Sequence, residues 1–307
     1  SYYSVAERLT NELGAFRPNQ YANPNNPLSH ELTTGPELWD QSGGRITHFV
    51  AGAGTCGSIT GTARYLKAQN PDVKVIAADP EGSVFSGGSG RPYLVEGVGE
   101  DFFPAAWQPE LYDEVIAISD AESFATARRV SEVEGILIGG SGGMAVAAAI
   151  QVAKRADPDD IVVVFNPDSG RGYLSRVFDD AWMATYGFTR ECDQCVAAVL
   201  DTRGDTPPLL YVNPEQTVRE AIDILRNNEI SQLPVCKNTP PFAAAEVSGS
   251  LSELELMRSI AEDPGLLDVP VEHVMGPKLP TIGIGQQVAT AVELLEHCRV
   301  VLVTHRT

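Results

Sequence analysis

The sequence predicts an α/β fold with a mostly parallel sheet, followed by a smaller C-terminal domain. Three observations lead to this prediction. Up to about residue 188, short runs of β-branched residues alternate with helical patterns, which is typical of a parallel sheet covered by helices on both faces. The segment 189–209 is then charged, contains Pro and lacks a clear period. Beyond it, one pattern occurs twice.

The elements of the first part follow in chain order from these runs. Apolar, β-branched stretches bounded by turn residues predict strands at 47–51, 73–78, 114–119, 135–138 and 161–165. The segments between and after them have helical periodicity and predict helices at 58–69, 121–134, 143–156 and 171–183. Ligands of such a sheet bind at the carboxyl ends of its strands.

The C-terminal part contains an internal repeat. The stretch 216–235 aligns with 286–304, so that Ile222 and Leu225 correspond to Val292 and Leu295. Matched apolar positions at helical spacing predict two copies of one unit, packed as a pair with these faces against each other. The predicted organisation is a domain at 1–188, a linker at 189–209 and a tandem domain at 210–307 whose second copy is incomplete.

The charge and the composition exclude several classes of partner. The 307-residue chain has a net charge of −19, which argues against nucleic acid and anionic membranes. It has no run of 18 apolar residues that could span a bilayer. Five cysteines, an odd number, do not make a disulfide framework. We therefore expect a cytoplasmic protein, and because the chain opens on Ser1 we expect residue 1 to be an internal cut.

The stretch "FVAGAGTCGSITG" (49–61) joins a predicted strand to a predicted helix through a glycine-rich turn. Its G-x-G-x-x-G spacing, with Asp79 at the end of the next strand, is compatible with dinucleotide binding. However, this loop does not open the first βα unit of the chain, and Thr55 and Ser58 flank its centre. Amide groups and two hydroxyls at a helix N-terminus favour a compact site for one phosphate monoester.

Two further polar glycine turns follow strands of the same predicted sheet. The stretch "GILIGGSGGMAV" (135–146) presents Ser141, and "VVVFNPDSGRGY" (162–173) presents Asp168 and Ser169. Each turn alone is equally compatible with a tight turn and a capping residue. Three such turns at one edge of a sheet favour a shared small-molecule site.

These motifs together resemble a known family. The loop "GTCGS", the upstream "NPNNPLSHELTTGPELW" (23–39), and "VEGVGEDF" (95–102), "EGILIGGSGG" (134–143) and "PDSGRGYLS" (167–175) are similar to the β-replacement enzymes that use pyridoxal phosphate, and in particular to the cystathionine β-synthases. The C-terminal repeat resembles their paired regulatory CBS modules, which the cysteine synthases lack. The resemblance implies a fold-type II catalytic domain and a tandem CBS pair.

The resemblance also implies roles for individual residues. The residues that would bind the cofactor phosphate are Gly54, Thr55, Cys56, Gly57 and Ser58. Ser141 would hydrogen-bond the pyridine nitrogen, and a neutral hydroxyl there suits replacement at Cβ better than transamination. The residues that would border the substrate are Gln20, Glu96, Gly97 and Gly99.

The chain departs from the family pattern at three points. Cys56 stands where the family usually has Gly, and Ser58 stands where it has Thr. The lysine that bonds the cofactor would lie upstream of residue 1, and the lysines present are in other contexts: Lys67, Lys74, Lys154, Lys237 and Lys278. We therefore expect that the N-terminal part is missing and that this chain holds no catalytic residue itself.

The resemblance leaves three functions open. The first is formation of cystathionine from L-serine and L-homocysteine, and the second is a cysteine synthase that uses O-acetylserine and sulfide. The third, from another class, is a module that senses an adenosyl ligand such as S-adenosylmethionine, because Ser252 and Glu255 resemble residues that contact a ribose. The expected partners are small amino-acid substrates and further copies of the chain in a homodimer or homotetramer.

A cysteine pair and a histidine are further candidate sites in the sequence. Cys192 and Cys195 have the spacing of a zinc or redox motif, but a structural zinc needs four ligands and no others are near in sequence. We expect no metal. His30 is expected to pack or to form hydrogen bonds, and to take no part in acid–base catalysis.

Overall fold

The computed structural model describes residues 2–189, 194–202 and 208–305. It divides into two compact units, Ser1–Tyr173 and Leu174–Thr307. This division falls earlier than residue 188, where the sequence suggested the end of the first domain. The exact bounds of the domains and of the linker remain predictions.

The first unit is built from six α-helices and four strands among its described residues. In chain order they are α1 (Tyr2–Leu13), α2 (Asn25–Leu32), α3 (Thr34–Gln41), β1 (His48–Gly52), α4 (Gly57–Gln69), β2 (Lys74–Pro80), β3 (Glu114–Ile118), α5 (Asp120–Glu134), α6 (Gly140–Ala153) and β4 (Val162–Val164). The predicted helices that begin near residues 58, 121 and 143 therefore correspond to α4, α5 and α6.

The four strands form one parallel sheet in the order β3-β2-β1-β4. The prediction of a mostly parallel sheet is confirmed. Phe49 and Ala51 of β1 pack with Val75 of β2 and with Ile59 and Leu66 of α4 in one buried cluster. Each of these five side chains is at most 1% exposed, so burial of this face fixes how α4 lies on the sheet.

The predicted strand at 135–138 is wrong. Gly135 has φ +68° and ends α5 as a left-handed cap, which turns the chain away from the sheet. Ile138 alone forms a bridge, antiparallel, to Ser169. The short apolar run therefore connects two helices and pairs, through Ile138, with the segment that follows β4.

The predicted helix at 171–183 is only partly correct. Gly170–Tyr173 form a 3₁₀ turn, and α7 (Asp180–Thr185) begins later, in the second unit. Asp179 determines this start, because its side chain accepts a hydrogen bond from the Trp182 amide at 2.7 Å.

The second unit contains the repeat. Its remaining elements are α8 (Val196–Asp201), α9 (Val218–Asn227), β5 (Gln232–Cys236), β6 (Val247–Ser252), α10 (Glu253–Glu262), β7 (Thr281–Gly283), α11 (Val288–His297) and β8 (Leu302–Thr304). The bounds of α9 and α11 differ by the same offset as the aligned stretches. The preceding turns also match, since Gln216 accepts from the Asn213 amide and Gln286 accepts from the Gly283 amide.

A helix lies within the predicted linker. The amide of Val196 in α8 donates to the Gln286 carbonyl at 2.9 Å, and Ala197 donates to the Ile284 carbonyl at 2.9 Å. In the first copy, the amide of Val271 makes the equivalent bond to the Gln216 carbonyl at 2.8 Å. The segment before the first copy is thus bonded to the second copy.

The predicted pairing of the two apolar faces is wrong. Ile222 and Leu225 pack inside the core of their own copy. Val292 and Leu295 of α11 are 52% and 48% exposed. Sequence matching identified the equivalent positions in the two helices. In the first copy, however, these side chains pack against other residues of the same copy instead of against the second copy.

Candidate phosphate and substrate site

A cavity of about 740 Å³ opens in the first unit at the carboxyl ends of the strands. Its walls include the loop after β1, the loop 97–101 and the start of α6. Of the residues predicted for the site, these line the cavity: Gln20, Gly54, Thr55, Cys56, Gly57, Ser58, Gly97, Gly99 and Ser141. Glu96 is exposed and is not among the lining residues.

The N-terminus of α4 forms one end of this cavity. Cys56 is its N-cap residue, and no described side chain caps the helix there. The amide of Thr60 is the first to bond back into the helix, to the Cys56 carbonyl. The preceding amides have no acceptor within the helix, and together with the helix dipole they favour an anion.

Two glycines leave the room that this loop needs. A Cβ at Gly57 would lie 1.8 Å from Oδ1 of Asn26, and a Cβ at Gly54 would lie 3.0 Å from the carbonyl oxygen of Gly97. The loop after β1 therefore packs tightly on α2 on one side and on the 97–99 loop on the other. Larger residues at either position would displace the walls of the phosphate site.

The hydroxyl of Thr55 is oriented by two amide side chains. Nδ2 of Asn26 donates to Thr55 Oγ1 at 3.2 Å, and Nε2 of Gln20 donates to it at 3.4 Å. Asn26 is itself held by a bond from Nδ2 to the Gln20 carbonyl at 3.0 Å. With its oxygen accepting, Thr55 keeps its hydroxyl proton for a ligand in the cavity.

Two further side chains support Ser58. Its Oγ lies 3.1 Å from Nε2 of His30, whose Nδ1 lies 2.9 Å from Oγ1 of Thr34. Burial lowers the pKa of His30, which favours the neutral ring. In the tautomer that carries the proton on Nε2, His30 donates to Ser58 and leaves the Ser58 proton for an anion. The expected hydrogen-bonding role of His30 is confirmed.

Cys56 occupies a conformation that glycine usually adopts. Its φ is +63°, its side chain is buried, and its Sγ donates to the Gly54 carbonyl at 3.2 Å. Burial raises the pKa of the thiol, and the charges of Glu100 and Asp79 add to the effect. The thiol is therefore neutral beside the anion site.

The strain and the packing at Cys56 can be separated by two substitutions. Cys56→Ala keeps the strained φ and removes the buried sulfur, so we expect the free energy of unfolding to fall by about 1–2 kcal/mol. Cys56→Gly also removes the sulfur but relieves about 1 kcal/mol of strain, so it should be the more stable of the two. Denaturant titration measures both. A glycine variant less stable than the alanine variant would contradict this account.

Asp79 does not serve a dinucleotide. It is fully buried, is absent from the cavity lining, and its Oδ2 accepts the Ser86 amide at 2.8 Å. Burial raises the pKa of its carboxyl. The side chain is thus not offered to the cavity as the ribose-binding carboxylate of a dinucleotide site would be, which agrees with the phosphate-monoester interpretation of the glycine loop.

The loop that carries Gly97 and Gly99 is fixed by Asp120, the first residue of α5. Oδ1 of Asp120 accepts the amides of Leu94 and Val95 at 2.8 and 2.9 Å. Gly97 and Gly99 have φ of +81° and +72°, and the Gly99 amide donates to the Ala53 carbonyl at 2.6 Å. These bonds hold the loop against the start of the phosphate loop.

Ser141 lies in the first turn of α6, is 5% exposed and lines the cavity. The turn before it is crowded, since a Cβ at Gly139 would lie 2.2 Å from Oδ1 of Asp168. Asp168 also accepts from the Tyr173 hydroxyl at 2.7 Å and is not a lining residue. The glycine turn at 135–146 thus brings the predicted Ser141 hydroxyl to the cavity. The turn at 162–173 does not bring Asp168 or Ser169 to it.

Sequence reasoning missed two supporting residues of this site. Asn26 lies within the stretch 23–39 but received no role, and Asp120 lies between the predicted strand 114–119 and the predicted helix 121–134. An Asp that begins a helix directly after a strand is the signal that could have singled out Asp120.

The remaining predicted sites lie elsewhere. Ser252 and Glu255, in the second unit, lie at the start of α10, where Ser252 is the N-cap. Cys192 lies outside the described residues, and Cys195 is buried at the N-cap of α8. Within the described residues, no group of three or more His, Cys, Asp or Glu side chains is arranged to hold a metal ion. In the same part of the chain, no helix is both long and apolar enough to cross a membrane.

Fold and site together define a class: an α/β protein with a cavity at the carboxyl edge of a parallel sheet that is suited to a phosphate-bearing small molecule. A profile described as "Pyridoxal-phosphate dependent enzyme" matches residues 1–168, more than half of the chain. The chain belongs to this family of pyridoxal-phosphate-dependent enzymes. A second profile, described as "CBS domain", matches residues 204–262. The predicted fold class is confirmed.

Individual relatives agree with this assignment. The chain is 36% identical to a cystathionine beta-synthase of Oryctolagus cuniculus over 265 residues, which cover 82% of this chain and 48% of the relative. It is 43% identical to a cysteine synthase of Staphylococcus aureus (strain N315) over 180 residues, which cover 57% of this chain and 58% of the relative. The chain thus spans about half the length of these curated relatives.

A solved structure is similar over about half of the chain. It is that of an O-acetylserine dependent cystathionine beta-synthase from Helicobacter pylori, with 38% identity, a TM-score of 0.50 and coverage of 52% of each chain. The resemblance to the β-replacement enzymes that the motifs indicated is confirmed.

The residues present fit pyridoxal phosphate. The site offers uncapped helix amides, two oriented hydroxyls, and glycines at 54 and 57 where a Cβ would fill the loop. Such a set of donors binds one phosphate group. The cavity beyond the loop reaches Ser141, which leaves space for a ring between them.

Proposed function

We propose that the chain is part of an enzyme that makes cystathionine from L-serine and L-homocysteine by β-replacement. The observation that carries this proposal is that the similarity to a cystathionine beta-synthase covers 82% of the chain. It therefore extends into the C-terminal part predicted as a tandem domain (210–307), which we call the tail. The similarity to cysteine synthases covers 57%. A CBS domain follows the catalytic half, as the resemblance implies for this enzyme.

In the proposed reaction, bound pyridoxal phosphate withdraws electrons from the amino-acid substrate and makes its Cα proton acidic. The residues of this chain position that chemistry. The amides at the start of α4, with Thr55 and Ser58, would hold the phosphate. Ser141 would offer a neutral hydroxyl to the ring nitrogen, which would limit how far the ring draws electrons. Gly97 and Gly99 let the loop backbone approach the substrate closely.

The contribution of the two hydroxyls can be measured directly. Thr55→Ala and Ser58→Ala should each weaken binding of pyridoxal phosphate by about 1–3 kcal/mol, because each removes a hydrogen bond to a charged group. Titration calorimetry with pyridoxal phosphate and with NAD tests this. Tight NAD binding without binding of pyridoxal phosphate would contradict the assignment of the loop.

The substrate pair is tested by product analysis with the full-length protein. We expect cystathionine from serine and homocysteine. Formation of cysteine from O-acetylserine and sulfide, with no cystathionine from serine, would favour the cysteine synthase alternative. The third substrate pair to be tested is O-acetylserine with homocysteine, because the Helicobacter pylori protein is described as O-acetylserine dependent.

We also propose that the tail binds an adenosyl ligand, S-adenosylmethionine or an adenine nucleotide, with Ser252 and Glu255 near its ribose. Both residues lie at the N-terminal end of α10, beside β6. Calorimetry with S-adenosylmethionine, ATP and AMP tests the proposal. If none of these three ligands binds, the tail has a role in assembly or stability instead. That result would also exclude the alternative function of a non-catalytic module that senses an adenosyl ligand.

A further inference from the structure

One ionisable group of the cavity has no role in holding the cofactor. Glu100 lines the cavity directly after the loop of Gly97 and Gly99. Its backbone is fixed on both sides, because its amide donates to Ser83 Oγ at 3.0 Å and its carbonyl accepts the Val84 amide at 3.0 Å. Its carboxyl group is therefore held at one place in the wall.

Two tyrosines hold the Glu100 carboxyl group. The Tyr3 hydroxyl donates to Oε2 at 3.0 Å, and the Tyr21 hydroxyl also donates to the carboxyl group. The rings of Tyr3 and Tyr21 contact each other with centroids 5.2 Å apart, and both contact Phe102. A carboxylate has about four lone-pair sites, so this arrangement leaves acceptor capacity toward the cavity.

The charges of the wall suit a zwitterion. Among the described residues that line the cavity, Arg91 is the one cationic side chain, and Glu100 and Asp101 are the carboxylates. At the other end of the cavity, the amides at the start of α4 favour an anion. Glu100 would repel a phosphate, so its carboxylate is suited to an ammonium group.

The geometry points to Glu100 as the group that binds the ammonium of the thiol-bearing acceptor amino acid. This inference rests on the proposed function. In β-replacement the donor amino acid gives up its free ammonium when it is bonded to the cofactor, whereas the acceptor keeps its ammonium. Sulfide has no such group. Glu100 would therefore select an amino-acid thiol over sulfide.

The ionisation of Glu100 gives the selection a pH dependence. Burial raises the pKa of its carboxyl, and the charge of Asp101 acts in the same direction, against the bonds from Tyr3 and Tyr21. The other titratable groups here are Arg91, Tyr93 and the neutral thiol of Cys56. Only the ionised carboxylate attracts an ammonium. The preference for an amino-acid thiol over sulfide should therefore be present above the pKa of Glu100 and be lost as the pH falls through that pKa.

The test compares homocysteine with 4-mercaptobutyrate, which has the same thiol and carboxylate but no ammonium, and with sulfide. In the full-length protein, Glu100→Gln should lower kcat/KM for homocysteine by about tenfold, as for a lost charge-assisted hydrogen bond. The rates with 4-mercaptobutyrate and sulfide should change little. The advantage of homocysteine should decrease at low pH in the wild type and stay constant in the variant.

Glu134→Gln removes one exposed carboxylate outside the cavity and is the matched control. An equal loss with all three acceptors in Glu100→Gln would overturn the inference, because a general base or a purely structural residue gives that pattern. Circular dichroism and binding of pyridoxal phosphate show whether the variant is folded, and Tyr21→Phe offers a milder change that should shift selectivity in the same direction. If the wild type uses no thiol acceptor, the proposed function fails as well.

Discussion

Replacing Gly57 with Ala should abolish tight binding of pyridoxal phosphate. The new Cβ would lie 1.8 Å from Oδ1 of Asn26, so either α2 or the start of α4 has to move. Asn26 also orients Thr55, and a shift therefore removes hydrogen bonds to the phosphate together with the fit of the loop. We expect a loss of about 3 kcal/mol in stability and at least about a hundredfold in affinity.

Gly172→Ala is the matched control for this substitution. A Cβ at Gly172 meets no atom within 4 Å, and the residue does not have a positive φ. It should leave both stability and cofactor affinity unchanged. Denaturant titration and calorimetry measure the two quantities, and unchanged affinity in Gly57→Ala would show that the phosphate does not bind at this loop.

Replacing Asp120 with Ala should release the loop that borders the substrate. Its carboxylate accepts the amides of both Leu94 and Val95, and these partly buried amides would be left without that acceptor. We expect the free energy of unfolding to fall by about 3 kcal/mol. Turnover should fall more than cofactor affinity, because the amides that hold the phosphate belong to α4.

Hydrogen exchange provides the local measurement. The Leu94 and Val95 amides should exchange faster in Asp120→Ala, and Asp120→Asn, which keeps one acceptor oxygen, should have an intermediate effect. Asp159→Ala removes an exposed carboxylate and serves as control. Unchanged protection of both amides would mean that other contacts hold the loop.

The sequence predicted most of the first unit because its elements have strong local signals. β1 to β3 are runs bounded by turns, and α4 to α6 fill the intervals between the strands, whereas no helix was predicted over α1 to α3. The strand predicted at 135–138 does not form, because a strand needs an adjacent strand with unpaired backbone groups. Whether such a strand is nearby cannot be read from the local sequence. Likewise, the repeat revealed equivalent helices in the tail but not which of their faces is buried.

The candidate site shows the same division. Spacing and hydroxyl content indicated the phosphate loop, and the family resemblance implied the loop of 97–99. Asn26, His30 and Asp120 contribute through contacts between elements far apart in the sequence. The tyrosines on Glu100 were missed for the same reason, since Tyr3 is distant from Glu100 along the chain.

The hydrogen bonds of α8 to the second copy set the order in which the tail can fold. The chain contributes a piece of the second copy first, then the whole first copy, and only then the rest of the second. The first copy is made of near neighbours in sequence, whereas the second requires closure of a long loop, whose entropic cost grows with length. High contact order slows folding, so we expect the first copy to form early and the second to form last.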